Sequence, residues 1–478
     1  MSMRERFISL GVVVMLLPSI NEAAEKSKPF APVADVVKTR TGREVRWEQD
    51  AAARAENLRA IRTLLKKPLN AGVAAQIALL NNRGLQATFE EVGVSAADLR
   101  EAGFWKNPSF DLSVRFPDRP PSGTDAQEAV AFDFLDLLML PLRKRVAAER
   151  LQATQLRVAD EALKLVAEVK SAIYMLQADE QLVGRLKVVQ ETSGAALELA
   201  QKQHEAGNIT DLALTEQQTS YSQSRLDVAM AESETRGHHE KINRLLGLWG
   251  ADTDWKVSDS LPAMPESDPP LRGLESLAVS QRLDLAAAQS ELSGVVRALG
   301  LTKSYRFIGA LDFGIDTEHN PDYSNVTGPT MRLELPLFNQ GQARIAKGEA
   351  ELRRAERKFE GLAIEIRSEV RELHDQLASK REVARFYHDD LLPGRIAIVN
   401  QTQLHFNGML VGNYELFTKK AEEVRAEHGY VEALRDYWIA RAELERAVGG
   451  SFTTCRMSEA KTSAETKRIS TKPKQHQH

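Results

Sequence analysis

"RLELPLFNQGQARIAKGEAELRRAERKFEG", residues 332–361, opens as one kind of structure and closes as another. Met331, Leu333, Leu335 and Leu337 alternate with Arg332, Glu334 and Pro336, the period-two pattern of a half-buried strand. After Gly341 the chain turns to Ala, Glu, Arg and Lys with apolar residues three or four apart, which predicts a helix. That pattern runs on to Phe406, and its strongest interruption is Pro393-Gly394, where a kink is expected. The architecture must let a short strand feed directly into a helix several times the usual length.

An earlier stretch follows the same plan. In "FDFLDLLMLPLRKRVAAERLQATQLR", residues 132–157, Leu140-Pro141-Leu142 matches Leu335-Pro336-Leu337. "HEAGNIT" around Gly207 matches "HFNGMLV" around Gly408, and "LLGL" at 245–248 matches "AVGG" at 447–450. Pro336 follows Pro141 by 195 positions, Gly408 follows Gly207 by 201, and Gly449 follows Gly247 by 202. Three landmarks at nearly one offset predict an internal duplication, each copy reading strand, polar loop, strand, long helix, glycine turn, returning helix.

The first copy takes residues 25–261, with strands at about 108–116 and 130–141 and helices at about 143–206 and 210–246. The second takes 262–450, with a helix at about 271–300, strands at about 306–316 and 329–337, and helices at about 342–406 and 410–448. Phe110, Leu112 and Val114 alternate with Asp111, Ser113 and Arg115, and Phe307, Gly309, Leu311, Phe313 and Ile315 alternate with a set that includes Asp312 and Asp316. In the second strand Val130, Phe132 and Phe134 alternate around Asp133, but the order breaks at Asp136, which a bulge would explain. The loops "PDRPPSGTDAQE" (117–128) and "DTEHNPDYSNVTGP" (316–329) are turn-rich and polar.

The helices carry more of the argument. Arg143 to Ala206 would span roughly 95 Å at about 1.5 Å per residue. In the last helix Tyr430, Leu434, Tyr437, Arg441, Leu444 and Val448 step alternately by four and three, the seam of an antiparallel coiled coil. Further helical pieces are expected at about 48–66 and 70–103, and Pro262, Pro265, Pro269 and Pro270 mark a linker between the copies. The fold class is mainly α with a small β part.

Composition narrows the job. Aromatic residues make up 6% of 478, which is lean for a globular core of that length and suits long helices. Residues 1–24 read as an export signal: Arg4 and Arg6, an apolar run from Phe7 to Leu17, then Ala23 and Ala24. Their charges cancel, so the formal net charge stays at −4 and no nucleic-acid partner is implied. Cys455 is the single cysteine, so no intramolecular disulfide forms and no acylated cysteine follows the signal. After the signal no apolar run is long enough for a helical membrane span. A chain of this kind enters a bilayer only as a closed barrel, because hydrocarbon leaves no other way to satisfy every backbone group. Four strands cannot close one, and the smallest workable barrel has about eight, so several chains must contribute to one sheet. The tail 451–478 carries a net charge of +4 after Gly450 and is expected to be disordered.

At this point the chain resembles the TolC family of outer membrane efflux proteins, also called outer membrane factors. The resemblance runs through "NPSF" at 107, "AGN" at 206, "RLDLAAAQ" at 282, "LPLFNQGQARIA" at 335 and the closing "ALRDYWIARAELERAVGG". The "GN" and "YWIARAELERAVGG" details look closest to the heavy-metal cation branch. The resemblance implies a homotrimer in the bacterial outer membrane, with a 12-stranded β-barrel continued by an α-helical periplasmic tunnel. It further implies a passive exit duct working with an inner-membrane efflux transporter and a periplasmic adaptor protein. By position, the adaptor-contacting tips map to Gly207 with Asn208 and to Gly408 with Met409, and the aperture gate to Asp211 and Glu415. Gly207 and Gly408 also read simply as helix C-caps that need positive φ.

No catalytic, cofactor or metal site is expected. His204-Glu205 and His238-His239-Glu240 lack the i, i+4 histidine pair of a helical zinc site, and no phosphate-binding glycine loop or nucleophile elbow occurs. The alternative reading is a soluble periplasmic coiled-coil scaffold or adaptor. Such adaptors normally carry one helical hairpin, whereas two hairpins here carry their own strands.

Overall fold

The computed structural model describes residues 29–452 other than 117, 120–122, 259, 308 and 323. The expected export signal and nearly all of the basic tail lie outside the described residues. Four helices come first: α1 (Ala31–Thr41), α2 (Ala51–Leu64), α3 (Ala71–Asn81) and α4 (Arg83–Glu101). A hairpin of β1 (Ser109–Arg115) and β2 (Asp125–Asp133) leads into α5 (Phe134–Glu205), and α6 (Asp211–Leu246) returns. The second half repeats that order: α7 (Leu274–Gln281), α8 (Leu283–Ser304), β3 (Leu311–His319), β4 (Asn325–Leu333), α9 (Gln342–Phe386), α10 (Leu392–Asn407) and the returning α11 (Asn413–Val448). With 72 residues, α5 is about 108 Å long.

Both halves break a helix with one residue. Asn82, at φ −60° and ψ 120°, separates α3 from α4, and Arg282, at φ −64° and ψ 127°, separates α7 from α8. The expected helices at 70–103 and 271–300 are therefore each two. In the first half the break fastens the returning helix. Asn81 donates to the carbonyls of Leu246 and Gly247, each at 2.8 Å, and Asn82 donates to Leu245 at 2.8 Å, satisfying carbonyls that α6 leaves open at its end. Gly247 sits at φ 66°, and a Cβ there would lie 2.6 Å from the Asn81 carbonyl oxygen. In the second half Arg282 is buried between Asp284 and Glu369, and Glu369 also holds Arg446. Burial opposes the Arg282 charge, but the two carboxylates outweigh it and raise its pKa above the ordinary value.

The core gathers around these breaks. Helix α3 is apolar on nearly every face and has eight of its 11 residues buried, with Ile77, Leu79, Phe89, Ile173, Ile242 and Trp255 in one cluster. A second cluster, including Leu285, Ile366, Leu377, Tyr437 and Leu444, joins α7, α8, α9 and α11. The proline linker is tied down rather than loose. Asp268 accepts from Arg381 at 2.7 Å, from Arg441 at 2.5 Å and from the Tyr437 hydroxyl at 2.8 Å, while Trp438 donates to the Pro262 carbonyl at 2.8 Å.

The four strands form one antiparallel sheet in the order β1-β2-β3-β4. Three strands sit about four residues from their expected places, each displaced toward the loop end: β2 starts at Asp125 rather than about 130, β3 at Leu311 rather than about 306, and β4 at Asn325 rather than about 329. Backbone pairing continues through Gln127, Thr317 and Thr327, whose side chains read as loop. The irregularity at Asp136 is not a bulge. The Asp133 carboxylate accepts from the Asp136 N–H at 2.9 Å and starts a helix, so Leu140-Pro141-Leu142 is helical while Leu335-Pro336-Leu337 is not. The interruption near Pro393 is a π turn over Tyr387–Leu391, which accommodates the proline one turn later.

Candidate functional site

Register sorts the strand residues onto two faces. One face carries Phe110, Leu112 and Val114 of β1, Val130 and Phe132 of β2, Phe313 and Ile315 of β3, and Pro329 and Met331 of β4; in register Phe110 meets Val130, Val130 meets Ile315 and Ile315 meets Pro329, while Phe132 meets Phe313 and Phe313 meets Met331. All of those apart from Pro329 are large hydrophobic side chains that stand exposed. The opposite face carries Asp111, Ser113, Arg115, Gln127, Asp312 and Glu318. Toward the loops the apolar face becomes polar: Glu128 pairs with Thr317, the Thr317 and Thr327 hydroxyls meet at 3.1 Å, and His319 Nδ1 lies 2.7 Å from Asn325 Oδ1. Among the described residues, one edge of β1 and one edge of β4 have no strand partner. In water such a face and two such edges would invite aggregation, so this arrangement calls for an apolar medium and for further strands.

At the far end of the helices are two tips. The first is a Schellman turn: Gly207, at φ 73°, donates to His204 O at 2.9 Å, and Asn208 donates to Gln203 O at 2.8 Å. The second makes the same two bonds one residue later. Met409 donates to Phe406 O and Leu410 to His405 O, each at 2.9 Å. Gly408 therefore has φ −83°, and the expectation that it needs positive φ is corrected: Met409, at φ 59°, is the left-handed residue. It is the one non-glycine residue with positive φ among the described residues, and it is 94% exposed beside the exposed Leu404 and Leu410. Strain concentrated at an exposed turn suits a surface shaped for contact rather than for stability.

The two tips touch. The Tyr414 hydroxyl donates to Gln203 Oε1 at 3.0 Å, linking the end of α5 to the start of α11. Asp211 lies in the first turn of α6 and pairs with His204, Nε2 to Oδ1 2.6 Å; Glu415 lies in the first turn of α11. Sequence reading missed the His204–Asp211 pair and the shift to Met409. The signal for the shift was present, since "EAGN" and "FNGM" place glycine after different partners. His238 pairs with buried Asp179 at 2.5 Å and His239 stacks on Trp255 with ring centroids 4.2 Å apart, so both histidines have structural partners. No cluster of three metal-ligating side chains occurs among the described residues.

Replacing Met409 with glycine should relieve the turn and stabilise it by about 0.5–1 kcal/mol, the left-handed cost less the extra unfolded-state entropy of glycine. Hydrogen exchange across residues 404–412 is the direct measure, with slower exchange expected in the variant.

No protein-family model matches the chain, and no curated protein matches it. Solved structures do. The chain is similar to CusC, whose structures concern conformational changes accompanying folding and transmembrane channel formation, with a TM-score of 0.66 at 17% identity, over 82% of this chain and 92% of that one. A membrane protein from Pseudomonas aeruginosa gives 0.68 at 17% identity, over 86% and 94%. The CmeC outer membrane channel of Campylobacter jejuni gives 0.66 at 15% identity, over 82% and 89%. At such identities the likeness shows the fold, which is that of outer membrane channels.

Proposed function

We propose that the chain is the outer membrane channel of a tripartite efflux pump: a homotrimer whose three sheets close a 12-stranded barrel and whose helices continue it as a periplasmic tunnel. The observation that carries this reading is the sheet, apolar and exposed on one face, open at both edges, and joined by Asp133 directly to a helix of 72 residues. Edge β4 of one copy runs antiparallel to β1 of the next, so copies arranged in a ring satisfy every edge. Three copies of a four-stranded sheet supply the twelve strands that the resemblance to the TolC family implies.

The tips at Gly207, Asn208, Gly408 and Met409 meet a periplasmic adaptor, and Asp211 with Glu415 narrows the aperture. An inner-membrane transporter supplies the energy, and the duct itself is passive. The cargo proposed is metal cations. Two observations support that class: the resemblance of the closing helix to the heavy-metal branch, and the polar face of the sheet, where Asp111, Asp125, Asp133, Asp312, Asp316 and Glu318 stand against Arg115 and Arg332.

Reconstitution into planar lipid bilayers should give conductance that rises when Asp211 and Glu415 are replaced by alanine. A purified folded trimer that never conducts, with these substitutions or without them, would refute the channel. A soluble periplasmic scaffold is the second reading, favoured only by the long coiled coils. Cell fractionation separates the two, since a scaffold stays in the soluble periplasm and a barrel sediments with the outer membrane.

A further inference from the structure

Midway along the helices one surface carries cations and an indole that packing does not use. Arg59 and Arg62 lie one turn apart on the exposed side of α2, and Lys66 and Lys67, also exposed, follow in the turn after it. The segment 248–258 runs beside them. The Leu69 N–H donates to Lys256 O at 2.8 Å, the Ser258 N–H donates to Leu69 O at 2.9 Å, and Arg62 lies 3.4 Å from Asp252. Arg59, Arg62, Lys66, Lys67 and Lys256 therefore share a surface with only two carboxylates, Asp252 and Asp254. Among the described residues Arg62 pairs with one of these, and Arg59, Lys66, Lys67 and Lys256 pair with no carboxylate. Trp249 stands three residues from Asp252 and is 75% exposed. Its backbone is extended and is flanked by Gly247 and Gly250 at φ 66° and 63°, so that Leu248 packs against the core while Trp249 points outward. Among the described residues its ring has no aromatic, cationic or hydrogen-bonding partner. Beneath this surface Ile61 and Val257 share a cluster with Ile173, which places it about 60 Å along α5 from Phe134 and roughly 50 Å short of the tip at Glu205.

We propose that this surface binds an anionic glycan, a polymer of sugar rings bearing carboxylates, the chemistry of the bacterial cell wall. The face of an indole is electron-rich, and the C–H face of a pyranose ring lies flat against it. The surrounding ammonium and guanidinium groups then take the carboxylates that hang from such a polymer. Cations alone would serve any anion, whereas the exposed ring beside them selects a ligand that offers a flat, C–H-rich face as well as charge. Position argues against lipid, because the surface lies about 60 Å from the sheet. With the sheet in the outer membrane, that distance puts the surface in the space between the two membranes, where the wall lies. Binding there fixes the duct laterally within the wall and keeps its tips clear beneath. This inference rests on the proposed outer membrane seat of the sheet.

The test is co-sedimentation of the full chain, purified in detergent, with protease-treated cell-wall sacculi. Wild type should sediment with them, and the triple variant Arg59→Gln, Lys66→Gln, Lys67→Gln should bind at least about fivefold more weakly. Trp249→Ala should bind at least about threefold more weakly, and Trp249→Phe, which keeps a ring face, should recover most of that loss. Far-UV circular dichroism checks that each variant is folded. The triple variant Arg353→Gln, Arg354→Gln, Lys358→Gln removes as many exposed cations from α9 and should bind as wild type does. Sacculi whose carboxylates have been amidated, and neutral chitin, should retain little protein. If the α9 variant loses as much as the α2 variant, net charge rather than this surface is responsible and the inference fails. It fails equally if binding needs sacculi that still carry their proteins, since the ligand is then a protein. A chain that conducts in planar bilayers but does not sediment with sacculi refutes the glycan surface and leaves the channel standing.

Discussion

Replacing Asp268 with alanine lowers the stability of the chain by about 3–5 kcal/mol, the usual effect of taking one partner from a buried charged network. The carboxylate is the single acceptor that Arg381, Arg441 and Tyr437 share, and the two arginine side chains are only 13% and 18% exposed. Without it two guanidiniums are left in a place that water barely reaches. The same residue joins three parts of the chain. Arg381 lies on α9 and also donates to the carbonyls of Pro265 and Glu266, Tyr437 and Arg441 lie on α11, and Asp268 itself lies in the linker between the two halves. Burial and the bond to Asp268 push the Tyr437 phenol up to about 12, so it remains a donor across the physiological range. Asp268→Asn keeps an acceptor for Tyr437 and loses the charge, so it should fall between wild type and Asp268→Ala. Unfolding in detergent by denaturant measures both; an alanine variant within about 0.5 kcal/mol of wild type would show that the linker is not held in this way.

An arginine on the sheet should have opposite consequences on neighbouring residues. At Val130 it enters the apolar face, flanked in register by Phe110 and Ile315, and should cost about 2–4 kcal/mol if that face meets hydrocarbon. At Ala129, one residue away, it enters the polar face between Asp111 and Asp316, where two carboxylates can pair with it. On the proposed channel reading that variant should fold with little loss and pass fewer cations, because the polar face would line the lumen and would lose negative charge. Heat stability of the assembled channel and its reversal potential in a salt gradient separate the two effects. Equal stability of Val130→Arg and wild type would mean that water covers the apolar face.

The opening stretch disclosed the architecture but not its boundaries. Met331 and Leu333 alternate as a strand should, and the pattern carries on through Leu335 and Leu337, yet the ladder stops at Leu333 and those two leucines stand exposed below the sheet. Alternation reports which face a side chain takes, whereas the ladder depends on backbone pairing, and the two end at different places. Conversely, Gln127, Glu318 and Asn325 are paired although nothing in their side chains suggests a strand. Pro141 and Pro336 look equivalent in sequence, but the Asp133 cap draws the first into a helix. At the tips the glycines marked the turns, while the identity of the left-handed residue depended on a one-residue offset that only backbone geometry discloses. The long helices were the most legible part, because a period of three and four sustained over dozens of residues has few other readings.

The central claim is that β1 and β4 find their missing partners in neighbouring copies. Cysteines placed one at a time along β1, at Leu112, Ser113 or Val114, and along β4, at Thr327, Pro329 or Thr330, in a Cys455→Ser background, test it by oxidation in the native membrane. At least one β1–β4 combination should give a ladder of one, two and three linked chains that stops at three. A ladder that stops elsewhere, a β1–β4 bond within one chain, or no bond between chains in any combination would contradict it.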